Sequence, residues 1–173
     1  QKKKSREKKI ARHAERITIQ NEQDRNLFLS RTGCSISKTV IIPGNIGSKR
    51  FAPEWKNKNN SQTVKKLVYV GPLSTSKGFR YVVELMETLK KMGRTGISMY
   101  VLGRTNNKSE VFREIKKRNL DSMFIFTGYV NPFSYFADCD LMVYPTLYDA
   151  WPDAVLEAMY TGCPAIASAV GGL

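Results

Sequence analysis

Residues 67–103 read LVYVGPLSTSKGFRYVVELMETLKKMGRTGISMYVLG and follow the order strand, helix, strand. Residues 67–71 and 97–103 are short, mostly apolar runs that end in glycine, which is typical of buried strands. Between them, residues 77–92 repeat apolar side chains at helical spacing, and glycines follow at positions 93 and 96. This order predicts a right-handed βαβ unit with two parallel strands.

The same alternation continues toward the C-terminus. The pattern predicts a helix at 109–120, a strand at 123–128, a short helix at 132–138, a strand at 140–145, a helix at 152–160 and a strand at 164–168. Such a series predicts an α/β fold with a Rossmann-like, doubly wound parallel sheet whose faces are both covered by helices. Ligands of these sheets bind beyond the carboxyl ends of the strands, so the loops after residues 71, 103, 128 and 145 are the candidate binding loops.

The first 66 residues follow a different pattern. They predict a helix at 2–16, a strand at 16–20, a helix at 23–32, a strand at 39–43 and a polar linker or surface loop at 44–63. The chain stops soon after the predicted strand at 164–168, where a doubly wound domain would continue. We therefore expect a fragment, truncated at both ends.

The positive charge is concentrated near the N-terminus. The net charge is +13; residues 1–66 hold 17 Lys and Arg against 5 Asp and Glu, whereas residues 67–173 hold 11 against 10. Eight of the basic residues fall within residues 1–16. This run is either the solvated face of a helix, a contact with an anionic membrane, or a contact with nucleic acid. Nucleic acid is the least favoured because no aromatic residues are interleaved and no recognised motif is present.

Cysteine usage and hydropathy exclude several classes of protein. The three cysteines, Cys34, Cys139 and Cys163, show no C-x-x-C spacing, which argues against a disulfide framework or a zinc site and favours a reducing compartment. We expect Cys139 and Cys163 to be small buried hydrophobes. No apolar run approaches the roughly 18–20 residues that cross a bilayer, and no cluster of metal ligands occurs.

Residues 148–168 carry the most specific motif, YDAWPDAVLEAMYTGCPAIAS. An acidic residue at Asp149, Glu157 eight positions later, an Ala-Met pair and a Gly-x-Pro turn before a strand resemble the signature of retaining GT-B glycosyltransferases of family 4. Residues 70–78 (VGPLSTSKG) and 126–130 (FTGYV) resemble the first loop and the base-contacting loop of the family's nucleotide-sugar-binding domain.

The resemblance also implies how the chain is divided. Residues 15–46 resemble the last strands and helix of the family's N-terminal domain. Residues 1–63 would therefore be a remnant of the acceptor-side domain plus the linker, and residues 64–173 the Rossmann-like domain that binds the donor.

The resemblance implies roles for individual residues. Asp149 would contact the donor sugar, Glu157 the ribose and Lys77 the phosphates, and these three are the candidate catalytic residues. The candidate donor-binding residues are Gly71, Gly128, Tyr129, Val130, Trp151, Pro152, Asp153 and Ala154. The resemblance implies a family that needs no protein-bound metal and no separate cofactor, with a UDP- or GDP-sugar as the donor substrate.

These residue types suit a diphosphate leaving group, whose negative charge a lysine and oriented N–H groups stabilise. Pro152 suits the first position of a helix, and we expect the amides of residues 153–155 to point at the diphosphate. Other interpretations stay open: Asp153 as a complement to the helix dipole, Asp149 as a helix cap, Lys77 and Glu157 as solvated side chains, and Tyr129 as a rim residue.

Two positions depart from the family pattern. Asp149 is one methylene shorter than the usual Glu, and Pro72 stands where an Arg usually accompanies the Lys. Arg80 and Arg104 are candidates to replace the missing cation.

The resemblance implies a hexosyltransferase of the retaining type that acts in the cytoplasm on a polysaccharide, lipid-linked or similar acceptor. A peripheral position at the inner face of the membrane is expected if residues 1–16 contact anionic lipid. The fragment alone is expected to be inactive in transfer. The alternatives are a GT-B-like binding or scaffold module without catalysis and, less favoured, a basic nucleic-acid-binding protein.

Overall fold

The computed structural model describes residues 2–45, 63–104 and 109–173. Most of the predicted polar linker, residues 46–62, lies outside the described residues. The described residues form two compact units. The first comprises residues 2–45, Tyr148–Asp153 and Ala169–Leu173, and the second the described residues 63–147 together with Ala154–Ser168. The expected domain boundary after residue 63 stays a prediction.

The first unit contains two short parallel strands and two helices. Its elements are α1 (Lys2–His13), β1 (Ile17–Ile19), α2 (Glu22–Thr32) and β2 (Thr39–Ile41), with one turn of 3₁₀-helix at Ile36–Lys38. Ile17 lies opposite Thr39, and Ile19 lies opposite Ile41. The side chain of Ser35 accepts a hydrogen bond from the Ser37 amide at 3.3 Å and so caps the 3₁₀ turn.

Helix α2 is bounded by residues suited to helix ends. The side chain of Asn21 accepts a hydrogen bond from the Asp24 amide at 2.8 Å, and the first turn carries Glu22 and Asp24, whose charge complements the helix dipole. At the other end Gly33 has φ +68° and donates its N–H to the Leu29 carbonyl at 2.9 Å.

The second unit is built on a five-stranded sheet in the order β5-β4-β3-β6-β7, with every pairing parallel. Its elements are β3 (Lys66–Val70), α3 (Phe79–Lys91), β4 (Ser98–Leu102), α4 (Ser109–Lys117), β5 (Phe124–Gly128), α5 (Phe133–Asp138), β6 (Leu141–Tyr144), α6 (Asp153–Tyr160) and β7 (Ala165–Ala167), with a 3₁₀ turn at Asp121–Met123. Beyond β3 the chain builds the sheet first in one direction and then in the other. The predicted doubly wound α/β fold is confirmed.

The central strand β3 is buried on both faces, which explains its continuous apolar sequence. Leu67 and Tyr69 pack in one core cluster with Phe79 and Met86 of α3. The intervening Val68 belongs to a second cluster on the opposite face, which includes side chains of α5 and β6: Phe133, Phe136 and Met142. Successive strand residues point to opposite faces, so helices must cover both.

Several elements are shorter than their sequence patterns. Helix α1 ends at His13 rather than at residue 16, and α6 begins at Asp153, so Pro152 precedes the helix instead of occupying its first position. Strands β3 and β4 end before Gly71 and Gly103, whose φ angles of +147° and +158° leave the extended conformation.

The cysteines behave as expected from composition. Cys139 and Cys163 are fully buried, Cys34 is half-buried, and all three are free thiols. Among the residues that the structure describes, no helix has the length and apolar character needed to cross a membrane.

Candidate functional site

The loops at the carboxyl ends of β3, β4 and β5 surround a cavity of about 820 Å³ within the second unit. The cavity is lined by Val70, Leu102 and Tyr129, among others, and these three residues lie at or directly after the ends of the strands. A volume of this size is in the range of small-molecule sites, roughly 300–1,000 Å³. The predicted location of the binding site, beyond the carboxyl ends of the strands, therefore coincides with a cavity.

Glycine backbone forms part of the cavity wall. The Gly71 amide donates to the Leu102 carbonyl at 2.9 Å, and the Gly103 amide donates to the Gly128 carbonyl at 2.8 Å. A Cβ atom at Gly103 would lie 2.1 Å from the Gly71 carbonyl oxygen. The three strand ends therefore approach too closely for a side chain at Gly103, and a ligand in the cavity can approach bare backbone.

Glu157 of α6 is the acidic side chain of the cavity lining. It is 8% exposed, which is unusual because an ionised carboxylate is stable at such a position only with polar or charged partners. Its helix also buries Val155 and Ala158 in the core, and this packing fixes the position of the carboxylate. A fixed carboxylate beside a cavity can accept hydrogen bonds from two hydroxyl groups of a ligand.

The loop after β5 presents an aromatic side chain and a neighbouring cation. Tyr129 is 82% exposed, and the guanidinium carbon of Arg104 lies 5.5 Å from its ring centroid, within cation–π range. Val130 and Asn131 continue the lining, and the Asn131 side chain accepts a hydrogen bond from the Phe133 amide at 3.1 Å at the start of α5.

Tyr69 holds the loop that follows β3. Its hydroxyl lies 2.8 Å from the carbonyl oxygen of Pro72 and 3.3 Å from that of Lys77. Burial raises the pKa of Tyr69, so the phenol keeps its proton and remains a donor. Lys77 is half-buried in this loop and, of the described residues, is not one that lines the cavity, whereas Pro72 does line it.

Four predicted site residues belong to the first unit: Asp149, Trp151, Pro152 and Asp153. The Trp151 amide donates to the Asp149 carboxylate at 3.3 Å, and the Asp149 carbonyl accepts from the Gly172 amide at 3.0 Å. The Asp153 amide donates to the Trp151 carbonyl at 3.1 Å. One of the three amides expected to face a diphosphate is therefore engaged within the chain.

The second unit thus brings Gly71, Tyr129, Val130 and Glu157 to one cavity. The Gly128 carbonyl accepts a hydrogen bond from the amide of Gly103, which lines the same cavity. Ala154 is half-buried in α6 of the same unit. The loops after residues 103 and 128 were predicted as binding loops, but five lining residues at these places were not named individually: Leu102, Gly103, Asn131, Pro132 and Phe133. The glycine that ends the β4 run was the available signal for the first two.

A family model described as glycosyl transferases group 1 matches residues 51–173. The chain belongs to this family. Its predicted recognition as a GT-B glycosyltransferase is thereby confirmed at the level of family and fold. The amylovoran biosynthesis glycosyltransferase AmsD of Erwinia amylovora is 25% identical over 162 residues, which are 89% of this chain and 43% of that protein.

Two solved structures have a fold similar to that of this chain. Sucrose-phosphate synthase from Thermosynechococcus elongatus has a TM-score of 0.80 and 23% identity, covering 99% of this chain and 45% of that one. A point mutant of S. aureus TarM, in complex with fondaparinux, α-GlcNAc-glycerol and UDP, has a TM-score of 0.77 and 18% identity, covering 98% and 33%. The chain spans 28% to 43% of the length of the curated relatives it matches.

Proposed function

We propose that this chain contains the donor-binding part of a retaining glycosyltransferase of family 4. The donor is a nucleotide-diphosphate sugar, with UDP or GDP as the nucleotide, and a hexose passes to a polysaccharide, lipid-linked or similar acceptor. The observation that carries the proposal is the buried Glu157 carboxylate in a cavity at the carboxyl ends of β3, β4 and β5. The UDP complex of TarM and the amylovoran biosynthesis glycosyltransferase AmsD support the assignment of donor and acceptor classes.

The nucleoside end of the donor is assigned to the cavity in the second unit. The Glu157 carboxylate accepts hydrogen bonds from the two ribose hydroxyls, since an ionised carboxylate is purely an acceptor. The backbone of residues 128–130 reads the edge of the base, and the exposed Tyr129 ring lies beside it. Gly71 gives the ligand access to bare backbone.

The diphosphate is assigned to groups that stabilise negative charge as the leaving group departs. These groups are the amides of residues 154 and 155 at the start of α6, and the Lys77 side chain in the loop before α3. The Asp153 amide is left out because it donates to Trp151. The roles assigned to Asp149, Trp151 and Pro152 toward the donor stay predictions.

The same proposal covers the rest of the chain. Residues 1–63 are a remnant of the acceptor-side domain with the linker, and residues 64–173 are the donor domain. The protein works in the cytoplasm, and the exposed basic side chains of α1, which include Lys8, Lys9 and Arg12, contact an anionic membrane surface.

Calorimetric titration of UDP and GDP into the chain tests the proposal. Saturable binding of one of them is expected, and Glu157→Gln should weaken it by at least about tenfold because a charged hydrogen-bond acceptor is lost. Lys77→Ala should also weaken it. Glu84→Gln is the matched control, since Glu84 is an exposed glutamate on α3 outside the cavity lining.

A second candidate is a binding or scaffold module that keeps the fold and has lost the chemistry. It is favoured by Pro72, which lines the cavity where the family usually has a cation. Absence of saturable UDP and GDP binding by a chain with an intact circular dichroism spectrum and a cooperative unfolding transition would favour this candidate over the donor-binding proposal.

A further inference from the structure

The proposed ligand is anionic, and its charge must be offset by cations at the cavity. Of the described residues that line it, Glu157 and Arg104 are the charged ones, one acidic and one basic. A nucleotide diphosphate is strongly anionic, and Glu157 adds a further negative charge. Arg104 is therefore the cation in the described lining that can offset this charge, because Pro72 in the neighbouring loop is neutral.

The two arginines near the candidate site differ in what they contact. Arg80 lies on α3, where its guanidinium donates to the Tyr81 hydroxyl at 2.7 Å and lies 4.5 Å from the Tyr81 ring centroid. It lines a separate cleft of about 310 Å³ against α4. Arg104 directly follows Gly103 at the end of β4, at the cavity itself. The sequence offered Arg80 and Arg104 equally as replacements for the missing cation, and the structure favours Arg104 because it lines the cavity.

The Arg104 guanidinium lies beside the Tyr129 ring. The guanidinium carbon lies 5.5 Å from the ring centroid. A guanidinium over a ring uses its π-face for that contact and keeps its N–H donors in its own plane, in the fork that matches two phosphate oxygens. Holding the side chain beside the ring before the ligand arrives also reduces the conformational entropy lost on binding.

We propose that Arg104, positioned by the Tyr129 ring, binds the diphosphate of the donor and supplies the cation that Pro72 does not. This inference rests on the proposed donor-binding function. It adds to that function a residue whose contribution depends more on the phosphates of the ligand than on its base or ribose.

Calorimetry with matched arginine variants tests the inference. The ligands are UDP or GDP, whichever the chain binds, and the corresponding nucleoside, uridine or guanosine, whose weaker binding is followed by NMR chemical shifts. Arg104→Gln should weaken binding of the diphosphate by about tenfold to a hundredfold and binding of the nucleoside much less, because a charge-assisted contact to phosphate is lost. The diphosphate affinity of Arg104→Lys should lie between those of Arg104→Gln and the unsubstituted chain, since lysine keeps the charge without the planar fork. Arg80→Gln should match the unsubstituted chain.

A double-mutant cycle tests the role of Tyr129. In the Tyr129→Phe background, which keeps the ring, Arg104→Gln should have its full effect. In the Tyr129→Ala background its effect should be smaller, since residues in contact are energetically coupled. Additive effects in the Tyr129→Ala background would overturn the positioning by Tyr129.

The remaining outcomes separate the two proposals. Diphosphate binding that Arg104→Gln leaves unchanged, or a loss that is equal for the nucleoside, overturns the phosphate contact while the donor-binding proposal stands. If neither UDP nor GDP binds the unsubstituted chain, the proposed function fails and this inference fails with it.

Discussion

The two units of the chain differ in the kind of interaction that stabilises each of them internally. The second unit has a five-stranded sheet whose central strand is buried on both faces. In the first unit each strand has three residues, and apart from Ala11 and Pro152 the apolar side chains that the structure describes are partly or fully exposed. Apolar burial is the dominant stabilising contribution in folding, so the second unit should account for most of the stability of the chain.

Side-chain to backbone hydrogen bonds join distant parts of the sequence within the first unit. The Asn21 side chain donates to the Ala150 carbonyl at 2.8 Å, and the Gln23 side chain accepts from the Gly171 amide at 2.6 Å. A hydrogen bond of this kind contributes about 1 kcal/mol net. A region held in this way should tolerate loss of an apolar side chain better than loss of a hydrogen-bonding group.

The largest expected difference between the units comes from removing one apolar side chain from each. Phe136 of α5 is fully buried, and Phe136→Ala should lower the free energy of unfolding by about 3–5 kcal/mol through lost burial and the cavity it leaves. Leu27 of α2 is 43% exposed, and Leu27→Ala should cost less than about 1 kcal/mol. Urea denaturation of the full chain, followed by circular dichroism, measures both. Equal losses of unfolding free energy in the two variants would contradict the idea that the second unit depends on apolar burial more than the first.

Glycine substitutions sharpen the same comparison at nearly identical backbone angles. Gly78 before α3 has φ +70° and Gly33 after α2 has φ +68°. A Cβ atom at Gly78 would lie 1.6 Å from the Pro145 carbonyl oxygen, whereas at Gly33 it meets nothing within 4 Å. Gly33→Ala should therefore lower the free energy of unfolding only by the cost of placing alanine in the left-handed conformation, about 1–2 kcal/mol.

Gly78→Ala should cost more than Gly33→Ala by at least about 1 kcal/mol, because the Pro145 backbone must also move. The difference between the two denaturation midpoints reports the steric part, since the conformational part is common to both. Similar midpoints would mean that the loop after β6 shifts freely to admit a methyl group.

Local sequence predicted the fold well where a single pattern determined it. The runs that became β3, β4 and β5 are continuous and apolar because both faces of the sheet are covered, and this pattern can be recognised without knowing the partners. The ends were less predictable, because Gly71 and Gly103 turn out of the strand through contacts between neighbouring strand ends. The 3₁₀ turn at Ile36–Lys38 was missed because a single Ser35 hydroxyl caps it.

For the candidate site, the location could be predicted from the sequence, but the side-chain contacts could not. The topology of the sheet pointed to the edge where the cavity lies, and the motif at residues 148–168 singled out Glu157, which lines it. Asp149 of the same motif belongs to the first unit. The proximity of Arg104 to the Tyr129 ring was not predictable, because it depends on the side-chain conformations of two separate loops. The bond between Asn21 and Ala150 joins residues 129 positions apart, which no local pattern specifies.

A smaller effect is expected from the tyrosine–carboxylate pair of the first unit. The Tyr148 hydroxyl donates to the Asp24 carboxylate at 2.6 Å, and burial together with Asp24 raises the pKa of Tyr148 to about 12. Because the protonated phenol is the donor, its stabilisation is complete below the unfolded pKa of about 10 and is lost as the pH rises through about 12. Tyr148 is 48% exposed, so Tyr148→Phe should cost only about 0.5–1 kcal/mol at pH 8.

Phenolate absorbance checks this pair directly. The titration curve of Tyr148→Phe, subtracted from that of the unsubstituted chain, should leave a single transition centred near pH 12. A transition near the ordinary value of about 10 would show that Asp24 does not hold the phenol proton.

The smallest effect should come from surface ion pairs, which are present in both units. Lys66 and Asp138 of the second unit lie 2.7 Å apart and are 42% and 63% exposed, and the hydrogen bond to Asp138 raises the pKa of Lys66. Arg25 and Glu22 pair within the first turn of α2 in the first unit. Water and salt screen such pairs, so Asp138→Asn and Glu22→Gln should each change the free energy of unfolding by no more than about 0.5 kcal/mol.

Equal and small effects of Asp138→Asn and Glu22→Gln would mean that surface charge does not distinguish the two units, and that the contrast lies in burial and backbone packing. The measurement is urea denaturation at low salt and at 1 M NaCl, where the Debye length falls to about 3 Å. If Glu22→Gln costs clearly more than Asp138→Asn and the excess disappears at high salt, charge helps to hold the first unit. Its stability would then depend on ionic strength in a way that the apolar core of the second unit does not.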